Sequence, residues 1–217
     1  MSRSQWIAWA MSVSLLGCKG PTSTEPAQGV PKDRVESGAP PSTSPGPPAA
    51  GPKRPPNLPT SKEAEFVDAA LNGSKESVAA TLASGMSVNA TDEIGSTALM
   101  TAAFNGHTEL VSYLLEKGAS VNLRDRAGRT ALIYASSGPN LETVKTLLDA
   151  GADINVQDKD EHWSALMFAA SEGMTDIVAL LLDRGANRML KDVDGDTALD
   201  FANQNHHAEA ASLLSRP

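Results

Sequence analysis

The chain has 217 residues, enough for one domain of ordinary size plus additional segments, and is 41% apolar but only 4% aromatic, which suits small helical layers better than one large aromatic core. From Glu63 onward eleven Lys and Arg face twenty-three Asp and Glu, whereas between Lys19 and Lys62 six Lys and Arg outnumber three Asp and Glu. Like charge turns the larger, acidic part away from nucleic acid and from anionic bilayer surfaces, and leaves a basic protein surface as the fitting partner.

The first element is short. Met1–Gln5 carries one positive charge, on Arg3, and the eleven residues Trp6–Leu16 carry none. As a helix they would span about 16 Å, against about 30 Å for a hydrocarbon core. A charged start, a short apolar run and a small residue before a cut specify a secretory signal and not a spanning helix. The run closes on Leu15-Leu16-Gly17-Cys18, and Cys18 is the only cysteine. This resembles the lipobox of bacterial lipoproteins, although Leu16 replaces the small residue usual there. The resemblance implies that residues 1–17 are removed and that Cys18 becomes a lipidated first residue. It implies more than one acyl chain and therefore a stable membrane tether, because a single chain binds only marginally. The mature chain would face the periplasm of a bacterial cell envelope, on the inner or the outer membrane. The alternative is a plain secreted protein with an unmodified Cys18. No second cysteine is present to form a disulfide within the chain, so the fold stands by packing.

Residues 18–60 form the next segment. Twelve of the fourteen prolines lie between Pro21 and Pro59. A stretch such as Gly38-Ala39-Pro40-Pro41-Ser42-Thr43-Ser44-Pro45 cannot bury enough apolar surface to offset ordering entropy. A disordered linker with polyproline II character is expected. It would reach on the order of 125 Å fully extended and roughly 35 Å as a flexible coil. A docking site for a proline-binding module is the competing reading; a spacer fits better behind an export signal.

Residues 61–217 repeat. Thr97-Ala98-Leu99, Thr130-Ala131-Leu132, Ser164-Ala165-Leu166 and Thr197-Ala198-Leu199 recur at intervals of 33, 34 and 33. Between them fall Gly85-Met86-Ser87-Val88-Asn89, Gly118-Ala119-Ser120-Val121-Asn122, Gly151-Ala152-Asp153-Ile154-Asn155 and Gly185-Ala186-Asn187. Two interlocked motifs with one period specify a stack of like units. Within a unit, Thr97 is placed to cap a helix in which Leu99, Ala102 and Ala103 share one face. Small alanines let neighbouring units approach closely. Gly106-His107 interrupts the chain before a second helix with the stripe Leu110, Val111, Leu114 and Leu115. Gly118 stands at the C′ position that ends it. Val121-Asn122-Leu123 then leads to an exposed turn at Asp125-Arg126-Ala127-Gly128.

These motifs resemble the ankyrin repeat, with its Gly-x-Thr-Pro-Leu-His-x-Ala-Ala helix, Gly-His turn, Glu-Ile-Val-x-x-Leu-Leu helix and Gly-Ala-Asp-Val-Asn tail. The resemblance implies an all-α solenoid of helix-turn-helix repeats joined by β-hairpin-like turns. Five units are expected, near 60–91, 92–124, 125–157, 158–191 and 192–217, with the outer two as caps. Alanine replaces the family's proline throughout. The family's histidine in the first helix is Met100, Ile133, Met167 or Asp200 here, so its bonds between repeats are lost and stability rests more on packing. Gly138-Pro139-Asn140 aligns with Gly106-His107, and the turn Asp158–His162 before Trp163 carries one extra residue.

No motif for catalysis, for a phosphate or for a dinucleotide is present, so no catalytic residue and no cofactor is expected. The four histidines lack zinc-site spacing: His107 is structural at its turn, His162 sits on a hairpin tip, and His206 and His207 diverge in the last turn of a helix. Asp192-Val193-Asp194-Gly195-Asp196 lacks the spacing of a calcium loop. Taken together, however, Asp158, Asp160 and Glu161 lie on one turn and Asp192, Asp194 and Asp196 on the next. Six carboxylates on one edge, flanked by Trp163 as an aromatic anchor, would dock a basic surface. The competing reading is a solvated acidic face with Trp163 packed under its turn. Arg126 and Arg129 belong to the neighbouring turn and join the candidate binding residues. Phe104, Asn105, Ser137, Ser171 and Glu172 occupy the places that line the family's concave face. The expected function is therefore protein binding by a monomeric, lipid-anchored periplasmic module, without metal or nucleic acid. Two specific versions are an immunity protein that neutralises an exported toxin and an accessory or chaperone-like factor for a periplasmic enzyme.

Overall fold

The computed structural model describes residues 61–216. The expected signal segment, Cys18 and the Pro-rich linker lie outside the described residues. Ten helices follow in five pairs: α1 (Lys62–Leu71) with α2 (Lys75–Ala83), α3 (Ala98–Phe104) with α4 (Thr108–Glu116), α5 (Ala131–Ser136) with α6 (Leu141–Asp149), α7 (Ala165–Ser171) with α8 (Thr175–Asp183), and α9 (Ala198–Gln204) with α10 (Ala208–Leu214). The first member of each pair packs on the first member of the next, making one continuous inner row. Among the described residues no helix is long and apolar enough to cross a membrane. This is the all-α repeat solenoid that the resemblance implies.

Each inner helix begins where the sequence places a cap. The hydroxyls of Thr97, Thr130 and Ser164 accept the N–H of Met100, Ile133 and Met167, at 3.3, 3.5 and 3.3 Å. The alanines that replace proline stand in the first helical position, where an absent donor brings no advantage. At Thr97, Ser164 and Thr197 the residue three places on closes the cap in return. The thioethers of Met100 and Met167 each accept a cap N–H at 3.4 Å, and in the last pair Asp200 Oδ2 accepts from Thr197 N at 2.8 Å. Hydrogen bonds from Thr197 hold the Asp200 carboxyl below the usual carboxylate range. Met100 and Met167 therefore keep a local bond where the resemblance placed a histidine.

The two rows bury different fractions of their surface. Ala98, Leu99, Met100, Thr101, Ala102 and Ala103 of α3 are all buried, as are their counterparts in α5 and α7. Ala102, Ala103, Ala135, Ala169 and Ala170 have no exposed surface, so small side chains do set the closeness of the inner helices. The outer helices bury a single stripe, such as Leu110, Val111 and Leu114 of α4, and leave the opposite side in water. Each buried Leu or Val contributes about 1.5–3 kcal/mol relative to an exposed one. The outer helix ends in a Schellman motif: Gly118, at φ +87°, donates to Leu115 O and Ala119 donates to Leu114 O.

The turn between paired helices uses glycine for a second reason. A Cβ on Gly106 would collide with Asn140 of the next repeat. In the last pair His206 takes this turn at φ +62° with its side chain exposed. His206 and His207 thus stand before α10 and not in the last turn of a helix, because His207 occupies the cap of α10. Its Nε2–H donates to Ser171 O at 3.0 Å, as that of His107 does to Leu71 O at 3.0 Å. Ties between repeats therefore persist, moved to the second turn.

Candidate functional site

The exposed turns project side by side, as four fingers. In each, the first aspartate folds its own turn. Asp92, Asp125, Asp158 and Asp192 accept backbone N–H groups two to five residues ahead, at 2.8–3.2 Å. Neighbouring fingers are joined through the main chain: Arg126 N donates to Ile94 O, Lys159 N to Ala127 O and Val193 N to Glu161 O. Behind them runs a ladder in which Asn89, Asn122 and Asn155 accept from Ser120, Asp153 and Asn187 N, each at 2.8 Å. The sequence displays these asparagines at a fixed place in the first three tails; their bond to the next repeat becomes visible only in the stack.

The proposed row of six carboxylates is divided by burial. Asp158 and Asp192 are 2% and 7% exposed and are turn staples, unavailable to a partner. Asp160 and Asp194 are exposed, Glu161 is half-buried, and Asp196 accepts from Gln204 Nε2 at 2.9 Å. Trp163 is a correction. It is 1% exposed and forms a core layer with Phe168 and Phe201, ring centroids 5.0 and 4.2 Å away, so it offers no aromatic anchor. Among the described residues its indole N–H has no hydrogen-bond partner. The signal for this burial was the aromatic pair itself: Phe168 and Phe201 recur at one place in successive repeats.

Arg129 is also turned inward. Its Nε lies 3.3 Å from Asp158 Oδ2, bridging the second and third fingers. Beside it Tyr134 OH donates to Asp125 Oδ2 at 2.6 Å, and burial together with that carboxylate pushes the phenol far above its ordinary pKa. Arg126, by contrast, is exposed. Burial, helped by the carboxylates of Asp68 and Asp125, raises the Asp92 pKa against the backbone hydrogen bonds from Ser96 and Ile94 that lower it.

The inner-helix ends complete the face. Phe104 is half-buried and meets Tyr134 edge to face at 6.2 Å. Asn105 is exposed but commits its Nδ2 to Leu71 O at 2.6 Å. Ser171 is buried and takes Asn205 Nδ2 on its Oγ at 3.0 Å, so it serves the stack and not a partner. Ser137 is half-buried and Glu172 exposed. Among the described residues no three His, Cys, Asp or Glu gather to hold a metal ion. The arrangement offers exposed carboxylates, exposed basic side chains at Arg126, Lys159 and Lys191, an aromatic edge and amide groups, an assortment suited to surface recognition.

Comparison with known proteins agrees with this architecture. A family model for ankyrin repeats, in a form with three copies, matches residues 66–158 and 140–216. Among curated proteins, the E3 ubiquitin-protein ligase hecd-1 of Caenorhabditis elegans is 47% identical over 57 residues. That stretch is 25% of this chain and 2% of hecd-1, so the chain spans only a small part of that relative's length.

Proposed function

This chain belongs to the ankyrin-repeat family, whose repeats bind other proteins, and from that premise we propose that it is a lipid-tethered periplasmic module that holds a partner with a basic surface. The observation that carries the reading is the exposed edge of the last two fingers. Main-chain bonds between fingers hold Asp160, Glu161 and Asp194 beside one another, and among the described residues no basic side chain is paired with Asp160 or Asp194. Carboxylates presented this way accelerate encounter with a positive patch and reject negative ones. The tether is supported by the uncharged run Trp6–Leu16 and by Leu15-Leu16-Gly17-Cys18, and the Pro-rich segment behind it would set the stack at a distance from the bilayer.

Two measurements test the two halves. Partner recovery by affinity purification from the native host should fall at least tenfold when Asp160 and Asp194 are both changed to lysine. Equal recovery would remove the finger edge from the interface. Separately, Cys18→Ser should move the protein from the membrane to the soluble fraction. If the variant still sediments with membranes, the lipid tether is wrong.

A further inference from the structure

Four junctions join the five repeats, and one of them is built differently. At the end of each inner helix a carbonyl lacks an in-helix partner: those of Leu71, Phe104, Ser137 and Ser171 occupy this place. At three junctions the following repeat supplies a donor. Asn105 Nδ2 and His107 Nε2 reach Leu71 O at 2.6 and 3.0 Å, and Asn140 Nδ2 reaches Phe104 O at 3.0 Å. Asn205 Nδ2 and His207 Nε2 reach Ser171 O at 3.2 and 3.0 Å. Among the described residues the Ser137 carbonyl receives no donor. The fourth repeat places Glu172 and Met174 where its neighbours have Asn105 and His107 or Asn205 and His207. An ionised carboxylate and a thioether accept hydrogen bonds and cannot give one. On the near side Gly138 contributes no side chain, and Glu172 is exposed while Ser137, Gly138 and Met174 are half-buried.

The junction between the third and fourth repeats is therefore a notch to which the side chains of the fourth repeat bring acceptors alone. A phosphate or carboxylate would meet like charge there, and a neutral donor would leave the Glu172 charge unanswered. An ammonium or guanidinium satisfies both, with charge-assisted bonds about twice as strong as neutral ones. Resting on the reading of a basic partner, we propose that this notch seats a lysine or arginine side chain of that partner, which supplies the donor that the other three junctions carry in their own sequence. Desolvation by neighbouring groups raises the Glu172 pKa, an effect that nearby His207 opposes.

The test uses the full-length chain, labelled for NMR and titrated with tetra-lysine and tetra-arginine peptides at low ionic strength. Shifts centred on the Gly138 and Glu172 amides and the Met174 methyl are expected. Glu172→Asn and Met174→His each introduce the donor found at the other junctions. Each should weaken peptide binding at least tenfold and raise the Tm, and if one fails to fold by circular dichroism the other decides. Asp194→Asn should leave the notch shifts in place. Shifts confined to Asp160 and Asp194, or unchanged affinity in the folded notch variants, would overturn the notch while leaving a basic partner standing. Failure of both peptides to bind anywhere would remove both ideas.

Discussion

Trp163→Ala should lower the stability of the stack by about 3–5 kcal/mol, the range for deleting a large buried aromatic side chain. For a domain of this size that corresponds to a Tm roughly 6–20 °C lower, measured by circular dichroism. The side chain is 1% exposed and wedged between Phe168 of its own repeat and Phe201 of the next. Its removal therefore leaves a void at the seam between two repeats, where stacked proteins derive much of their cohesion. Trp163→Phe provides the informative contrast. The lost indole N–H has no partner among the described residues, so its deletion removes an unsatisfied buried donor and offsets part of the lost contact area. The phenylalanine variant should lose no more than about 1.5 kcal/mol. A loss under about 1 kcal/mol in Trp163→Ala would mean that the residue is not a core element.

Asp158→Ala is expected to cost about 3 kcal/mol, from two groups deprived at once. The Oδ1 of Asp158 holds the N–H groups of Glu161 and Trp163, at 3.2 and 3.0 Å, and so shapes the longest finger. Its Oδ2 faces Arg129 Nε at 3.3 Å, with the two side chains 1% and 16% exposed. The alanine variant strands a largely buried guanidinium and frees the turn that carries Trp163 into the core. Asp160→Ala, two residues away on the same finger, should shift the Tm by no more than about 2 °C, because its side chain stands in water. In pull-downs the order reverses: Asp160 belongs to the proposed docking edge, whereas Asp158 can affect binding only through the shape of its finger. Equal thermal losses in the two variants would contradict the division of this acidic turn into an inner and an outer part.

That division marks how far the sequence could be followed. The period of the Thr-Ala-Leu and Gly-Ala motifs, the cap at Thr97 and the helix end at Gly118 depend on residues within a few places of one another. Their physics is local, and the helices appear where the spacing puts them. Asp158 and Trp163 belong to one turn and Arg129 to the turn before it, and the residues beside them are polar, so the local sequence of these turns shows an exposed charged loop. Phe201 covers Trp163 from the next repeat, and Arg129 meets Asp158 from the previous one. The same holds for the notch at Ser137, which exists only because three equivalent carbonyls are closed by side chains from their following repeats. The sequence by itself determined the number of repeats, the two helices in each and the net negative charge of the stack. The tertiary structure alone decided which charges and rings reach the surface, because in a stack a turn is covered or left open by the repeat beside it.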